Sequence, residues 1–227
     1  MRHITGVLWQ PRATMAAVMR DPAFVTAWIV VLLVVAVCGG ALLSTRIGRQ
    51  ALVDERVRVV ETLGGRVDDT AYAALQAKPP LLVYLTSGGR LLLTPPVTLL
   101  VALGLRALAS SSGSRIRYVV ALAIAVHASV VLAVQQVVAT PFHYRRESLT
   151  SPTNIAGLLR MFDEGSWPAR LLGSVDVFGL WWMWVLAVGL AAATGTPARR
   201  YLWTLLIAYV AIAAIVAAVL AVLGRSV

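Results

Sequence analysis

Ser174–Gly195 reads SVDVFGLWWMWVLAVGLAAATG. The run is apolar over most of its length, with one carboxylate, Asp176, near its start and three indoles, Trp181, Trp182 and Trp184, in its middle. Such a run is either the core helix of a soluble domain or a membrane span, and the rest of the chain decides. Of the 227 residues 59% are hydrophobic and 13% charged. A soluble domain is nearer 45–50% apolar and about 25% charged. The stretch is therefore read as one span of an all-α integral membrane protein.

Outward from it, four further runs reach the roughly 20 residues a crossing helix needs. The five spans are expected at about 24–44, 92–109 (entered through Pro95-Pro96), 117–140, 171–194 and 201–223, a five-helix transmembrane bundle with short extracytoplasmic helices. Residues 1–22 form a cytoplasmic or interfacial N-terminal segment, and 23–227 the membrane domain. In the former, Met15, Val18 and Met19 recur at helical spacing beside Arg12 and Arg20, which suits either a short helix lying in the interface with Trp9 as its anchor or a loose tail. Asp21 and Pro22 suit the cap and first turn of the next helix. The first apolar run is longer than a signal-peptide core and no A-x-A site follows it, so it is read as an uncleaved span.

Charge sets the expected orientation. With the N-terminus inside, the inner segments carry Arg2, Arg12, Arg20, Arg106, Arg115, Arg117, Arg199 and Arg200 against one acid, Asp21. The longer outer segments hold the remaining basic residues together with most of the acids. The positive-inside rule then favours a cytoplasmic N-terminus and an extracytoplasmic C-terminus. Arg supplies all basic residues except Lys78, a bias typical of high-GC bacterial coding, and the expected location is a bacterial inner membrane. The net charge of +10 fits loops facing lipid phosphates. No soluble basic stripe with interleaved aromatics is present, so no nucleic-acid partner is expected.

The outer segments, 45–91 and 141–170, carry structure of their own. RQALVDERVRVVETLGG places Leu52, Val53, Val57, Val60 and Leu63 at three- and four-residue spacing, which predicts a helix over 46–63 ended by Gly64-Gly65. Its Leu52, Val53 and Val60 face is expected to pack on the bundle or on a partner. A second short helix starts at Asp68 or Asp69 as cap and stops at Pro79-Pro80. TSGGR at 86–90 reads as a turn, and Asn154 to Phe162 as a short helix.

An acid inside a membrane is a functional hypothesis by default. Measured from residue 171, Asp176 lies about 7–8 Å deep. Gln135 and Gln136 of the third span lie at a similar depth, so one of them is expected to bond Asp176; His127 lies near the midplane. A relay through Asp176 and His127 would make a small transporter or channel, whereas the plainer reading is an interhelical hydrogen bond and a core histidine. Small residues at four-residue spacing, Gly189 and Ala193 in the fourth span and Ala213, Ala217 and Ala221 in the fifth, allow close helix contact. Cys38 is single, so no internal disulfide forms. The three histidines have no ligand partners at metal spacing, and no G-x-S-x-G, P-loop or H-E-x-x-H motif occurs. Neither enzyme, metal nor cofactor is expected.

Val175, Asp176, Phe178, Trp181 and Gly189-Leu190 together resemble the signature span of the Yip family of Ypt/Rab-interacting membrane proteins, in its bacterial branch. ITGVLWQPRATMAAVMRDP, with Pro11 and Pro22, is similar to the family's opening. The resemblance implies a five-helix membrane bundle. In eukaryotic relatives it implies binding of Rab-type GTPases through a long cytosolic N-terminal region, but only about 22 residues stand there in this chain, so a Rab-type partner is not expected. What remains is a noncatalytic scaffold or accessory subunit of a membrane complex such as an exporter, partnered by the lipid bilayer and by another membrane protein or further copies of itself. A small transporter is the alternative and a membrane-shaping protein the third.

Overall fold

A computed structural model of the chain describes residues 2–62, 65–77, 81–149, 152–154 and 175–223. These form α1 (Arg2–Trp9), α2 (Pro11–Arg20), α3 (Val25–Ser44), α4 (Arg46–Thr62), α5 (Asp69–Gln76), α6 (Leu81–Ser111), α7 (Tyr118–Arg146), α8 (Val177–Thr194) and α9 (Ala198–Leu223). Among the described residues there is no strand, only an isolated bridge between Asn154 and Asp176. Five segments are long and apolar enough to cross a membrane: Val25–Ser44, Leu91–Ser111, Tyr118–Arg146, Val177–Thr194 and Ala198–Ile215. The protein is an all-α, multi-pass integral membrane protein.

Two compact units divide these helices. The first comprises Met1–Val35, Arg90–Gln136 and Val177–Ala208. Its core is rich in small side chains, with Ala27, Ala102, Ala109, Ala121, Ala125, Ala128 and Ala187 all buried beside Leu105, Ile124, Leu186 and Leu190. Lipid tails are as apolar as leucine, so helices in a bilayer associate through close van der Waals packing, which small residues permit. Gly189 is one such close approach. A Cβ there would stand 2.5 Å from Ile124 Cγ2, 3.2 Å from its Cγ1 and 3.3 Å from Met15 Sδ.

Met15 belongs to α2, one of two helices that the N-terminal segment forms. α1 and α2 form a hairpin turned at Gln10, with Pro11 opening α2 where a missing N–H costs nothing. α2 packs on α8, and Val7, Met15 and Val18 are at most 1% exposed. The apolar side of the hairpin thus packs into the protein core, while Trp9, at 84% exposure, projects from its tip. An amphipathic stripe looks the same in sequence whichever apolar medium receives it.

At the ends of α6 and α8, Gly113 and Gly195 adopt positive φ, which stops each helix and turns the chain into the next. Tyr201, 1% exposed, joins these turns: its hydroxyl donates to Thr194 Oγ1 at 2.9 Å and lies 2.7 Å from Ser112 Oγ.

The second unit comprises Ala36–Gly89, Val137–Asp176 and Tyr209–Val227. α3 turns directly into α4, where Thr45 bonds back to Leu42 O and Gly48 sits so close that a Cβ would overlap that carbonyl. Leu52 and Val53 are buried as the spacing predicts, with Ala51 beside them, but Val60 is 40% exposed, so the packed face ends before it. α5 is capped by Asp68, whose carboxylate accepts the Ala71 N–H at 2.7 Å. That bond holds the Asp68 carboxyl below its ordinary range. Tyr72 on α5 donates to Asp54 on α4 at 2.8 Å, and Gln76 donates to Gln50 at 3.0 Å, clasping the two helices. The hydrogen bond to Asp54 raises the Tyr72 hydroxyl above its ordinary value.

Several boundaries differ from expectation: Asp21 ends α2 instead of capping the next helix, and α3 opens at Val25. α6 begins at Leu81, so Thr86–Arg90 are helical and Pro95-Pro96 lie inside the helix rather than at its entrance. The apolar neighbours on both sides outweigh the helix cost of Gly88 and Gly89, roughly 0.5–1 kcal/mol each. α7 continues through Pro141 to Arg146. α8 starts at Val177, not near residue 171. The short helix expected from Asn154 to Phe162 lies, beyond Asn154, outside the described residues.

Candidate functional site

Pro95 and Pro96 have no N–H to give the carbonyls one turn back, so the hydrogen-bond ladder of α6 is interrupted there. Beside this point the first unit holds a cavity of about 360 Å³. α3 contributes Val31 and Val35; α6 contributes Leu93, Thr94, Val97, Thr98 and Val101. α7 presents one helical face, Ala125, Ser129, Leu132, Ala133 and Gln136, with Gln135 beside it, and α8 contributes Trp182. No charged side chain is among these residues.

Polarity is graded along the cavity. Thr98 donates to Thr94 O at 2.8 Å and Ser129 to Ala125 O at 2.9 Å, so both hydroxyls serve their own helices. Thr94, Gln135, Gln136 and Trp182 lie toward the other end. The Trp182 indole N–H is buried and finds no acceptor among the described residues. A buried donor without an acceptor costs about 1–3 kcal/mol.

The residues singled out from sequence fall in several places. His127 is 2% exposed, and its Nδ1 lies 2.8 Å from Ala123 O. A carbonyl only accepts, so Nδ1 carries the proton in this pair. His127 does not line the cavity. Asp176 directly precedes α8, at the head of the helix rather than a turn and a half inside it. Thr153 donates to its Oδ2 at 2.5 Å, and Asn154 pairs with it through the backbone. Asp176 belongs to the second unit and Gln135 and Gln136 to the first. The Thr153 bond to the carboxylate is one that sequence depth did not anticipate, because depth along a span says nothing of the segment that precedes it.

Phe178 and Trp181 stack at 6.1 Å on α8, and Trp181 and Trp182 pack against the core, whereas Trp184 is 36% exposed. Gly189 and Ala193 both meet the core of the first unit. Ala213 is half-buried; the side chains of Ala217 and Ala221 lie outside the described set. Among the described residues no three His, Cys, Asp or Glu side chains come together as a metal site.

Two features were missed from sequence. The Tyr201 cluster joins residues about ninety positions apart and has no local signal. The cavity did have one: Thr94 and Thr98 are spaced four apart in an apolar run, and Ser129 and Gln136 seven apart, each pair on one helical face.

The Yip1 domain family model matches residues 5–221, nearly the whole chain. No curated protein and no solved structure matches.

Proposed function

The chain belongs to the Yip1 domain family, and on that premise we propose that it is a noncatalytic scaffold or accessory subunit of a membrane complex, an exporter being the kind of assembly it suits. The observation that carries this reading is the neutral lining of the cavity. A proton or ion path needs ionisable or strongly polar groups in succession across the bilayer. His127 is bonded to the backbone of its own helix, and Asp176 stands at a helix head bonded by Thr153. The core position of α2 also removes the free amphipathic face on which a membrane-shaping role would depend.

On this proposal the protein sits in a bacterial inner membrane, N-terminus cytoplasmic and C-terminus outside, and works through another membrane protein or further copies of itself. A reporter that is active only in the cytoplasm should stay silent at the C-terminus and work at the N-terminus. The functional test is reconstitution of the purified chain in liposomes. No proton or solute flux above empty vesicles is expected, and cross-linking in native membranes should trap a defined complex that fails to assemble without this chain. Flux that disappears on Asp176→Asn would end the accessory reading in favour of a small transporter.

A further inference from the structure

We propose that the cavity among α3, α6, α7 and α8 holds one acyl chain of an outer-leaflet glycerolipid, with an ester carbonyl accepting the Trp182 indole N–H. Four observations converge. The lining carries no charge, so the occupant presents no charge there. Leu93 and Val97 line the cavity and are also 62% and 53% exposed, so its mouth opens on the lipid-facing side of α6 and its occupant enters from the bilayer. The Trp182 N–H is buried and meets no acceptor among the described residues. An ester carbonyl is an acceptor with no donor of its own, which suits a wall that offers an N–H.

Depth supplies the fourth. At 1.5 Å per residue Trp182 lies about 7–8 Å inside the start of α8, and Thr94 about 5 Å inside the apolar segment that begins at Leu91. Gln135 and Gln136 are about 26–27 Å along α7 from Tyr118, close to the far edge of a hydrocarbon core about 30 Å thick. The polar end thus sits just within one boundary of the hydrocarbon, where glycerol esters lie. On the orientation proposed above that boundary is the outer one. The apolar end reaches Ala125, about 10 Å from Tyr118, and Val101. The site accepts the chain downward and the ester at the top. It does not depend on the accessory reading, since a transporter could bind lipid in the same place.

The test uses the full chain in phosphatidylethanolamine and phosphatidylglycerol nanodiscs doped with a phosphatidylglycerol that carries a diazirine on one acyl chain. After illumination, mapped cross-links should concentrate on Val97–Val101 and Ala125–Ala133. Trp182→Phe keeps the ring and removes the N–H, and should lower that labelling about threefold or more, the weight of one hydrogen bond inside a membrane. Trp184→Phe should leave it unchanged, and Ala133→Phe, which fills the cavity, should abolish it. Labelling spread equally over the exposed faces of α3 and α9 and indifferent to Trp182→Phe would mean bulk lipid only and overturn the proposal. In native membrane vesicles, a protein cross-link at Leu93 together with exclusion of the probe would assign the cavity to a partner helix and overturn it equally.

Discussion

Replacing Gly189 by alanine adds a single methyl where α8 meets α7 and α2. In an exposed helix that change stabilises, by about 0.5–1 kcal/mol, because alanine loses less backbone freedom. Here the new Cβ would stand 2.5 Å from Ile124 Cγ2 and 3.3 Å from Met15 Sδ, against an ordinary carbon contact of about 3.5–4.0 Å. Ile124 is β-branched and fully buried, so its χ1 has nowhere to turn and the helices must part instead. Overpacking of this kind costs about 1–3 kcal/mol. Strain should win, leaving Gly189→Ala about 1–2 kcal/mol less stable. Gly104→Ala is the control, since nothing lies within 4 Å of the methyl it would add on α6. The assay is denaturant unfolding of the detergent-purified chain with both variants in parallel. Gly104→Ala should match or exceed the parent, and Ile124→Ala should cost less in the Gly189→Ala background than alone. Gly189→Ala as stable as Gly104→Ala would refute the close-packing argument for this helix junction.

Met15→Ala should destabilise the first unit by about 2–5 kcal/mol as a core truncation does, read as earlier unfolding of α7 and α8 by hydrogen exchange; loss of protection confined to α1 and α2 would show the hairpin to be a separable tail. Tyr201→Phe should cost about 1 kcal/mol, seen as a lower melting temperature, with Ser112 and Thr194 still bonded to their own helices through Ala109 O and Leu190 O. The α4–α5 clasp should respond to base. The folded Tyr72 hydroxyl titrates above its ordinary value near 10, so its contribution is complete below that value and is lost as pH rises through the folded one. Hydrogen exchange of α5 should therefore accelerate above about pH 10 in the parent, and Tyr72→Phe should remove that step.

What the sequence determined by itself is what depends on a local count. The fold class follows from the length of apolar runs, because a hydrocarbon layer of given thickness demands helices of given length. α4 appears at Arg46–Thr62 close to where its periodicity placed it, and Asp68 caps α5 because a short carboxylate before a helix satisfies orphan N–H groups wherever it occurs. Boundaries at Pro95-Pro96, at residues 86–90 and at the head of α8 were misjudged where apolar neighbours carried a helix past its usual breakers, or where the apolar run began before the helix did. The tertiary structure alone decided that α2 enters the core, that Trp182 rather than Trp184 faces a cavity, and that Tyr201 joins the turns at Ser112 and Thr194. The physical reason is the solvent. In water, polarity tells the inside of a helix from its outside; in lipid both sides are apolar, so Met15 on α2 and Val97 on α6 read alike although one is packed in protein and the other opens toward the bilayer. Only the positions of the neighbouring helices separate them.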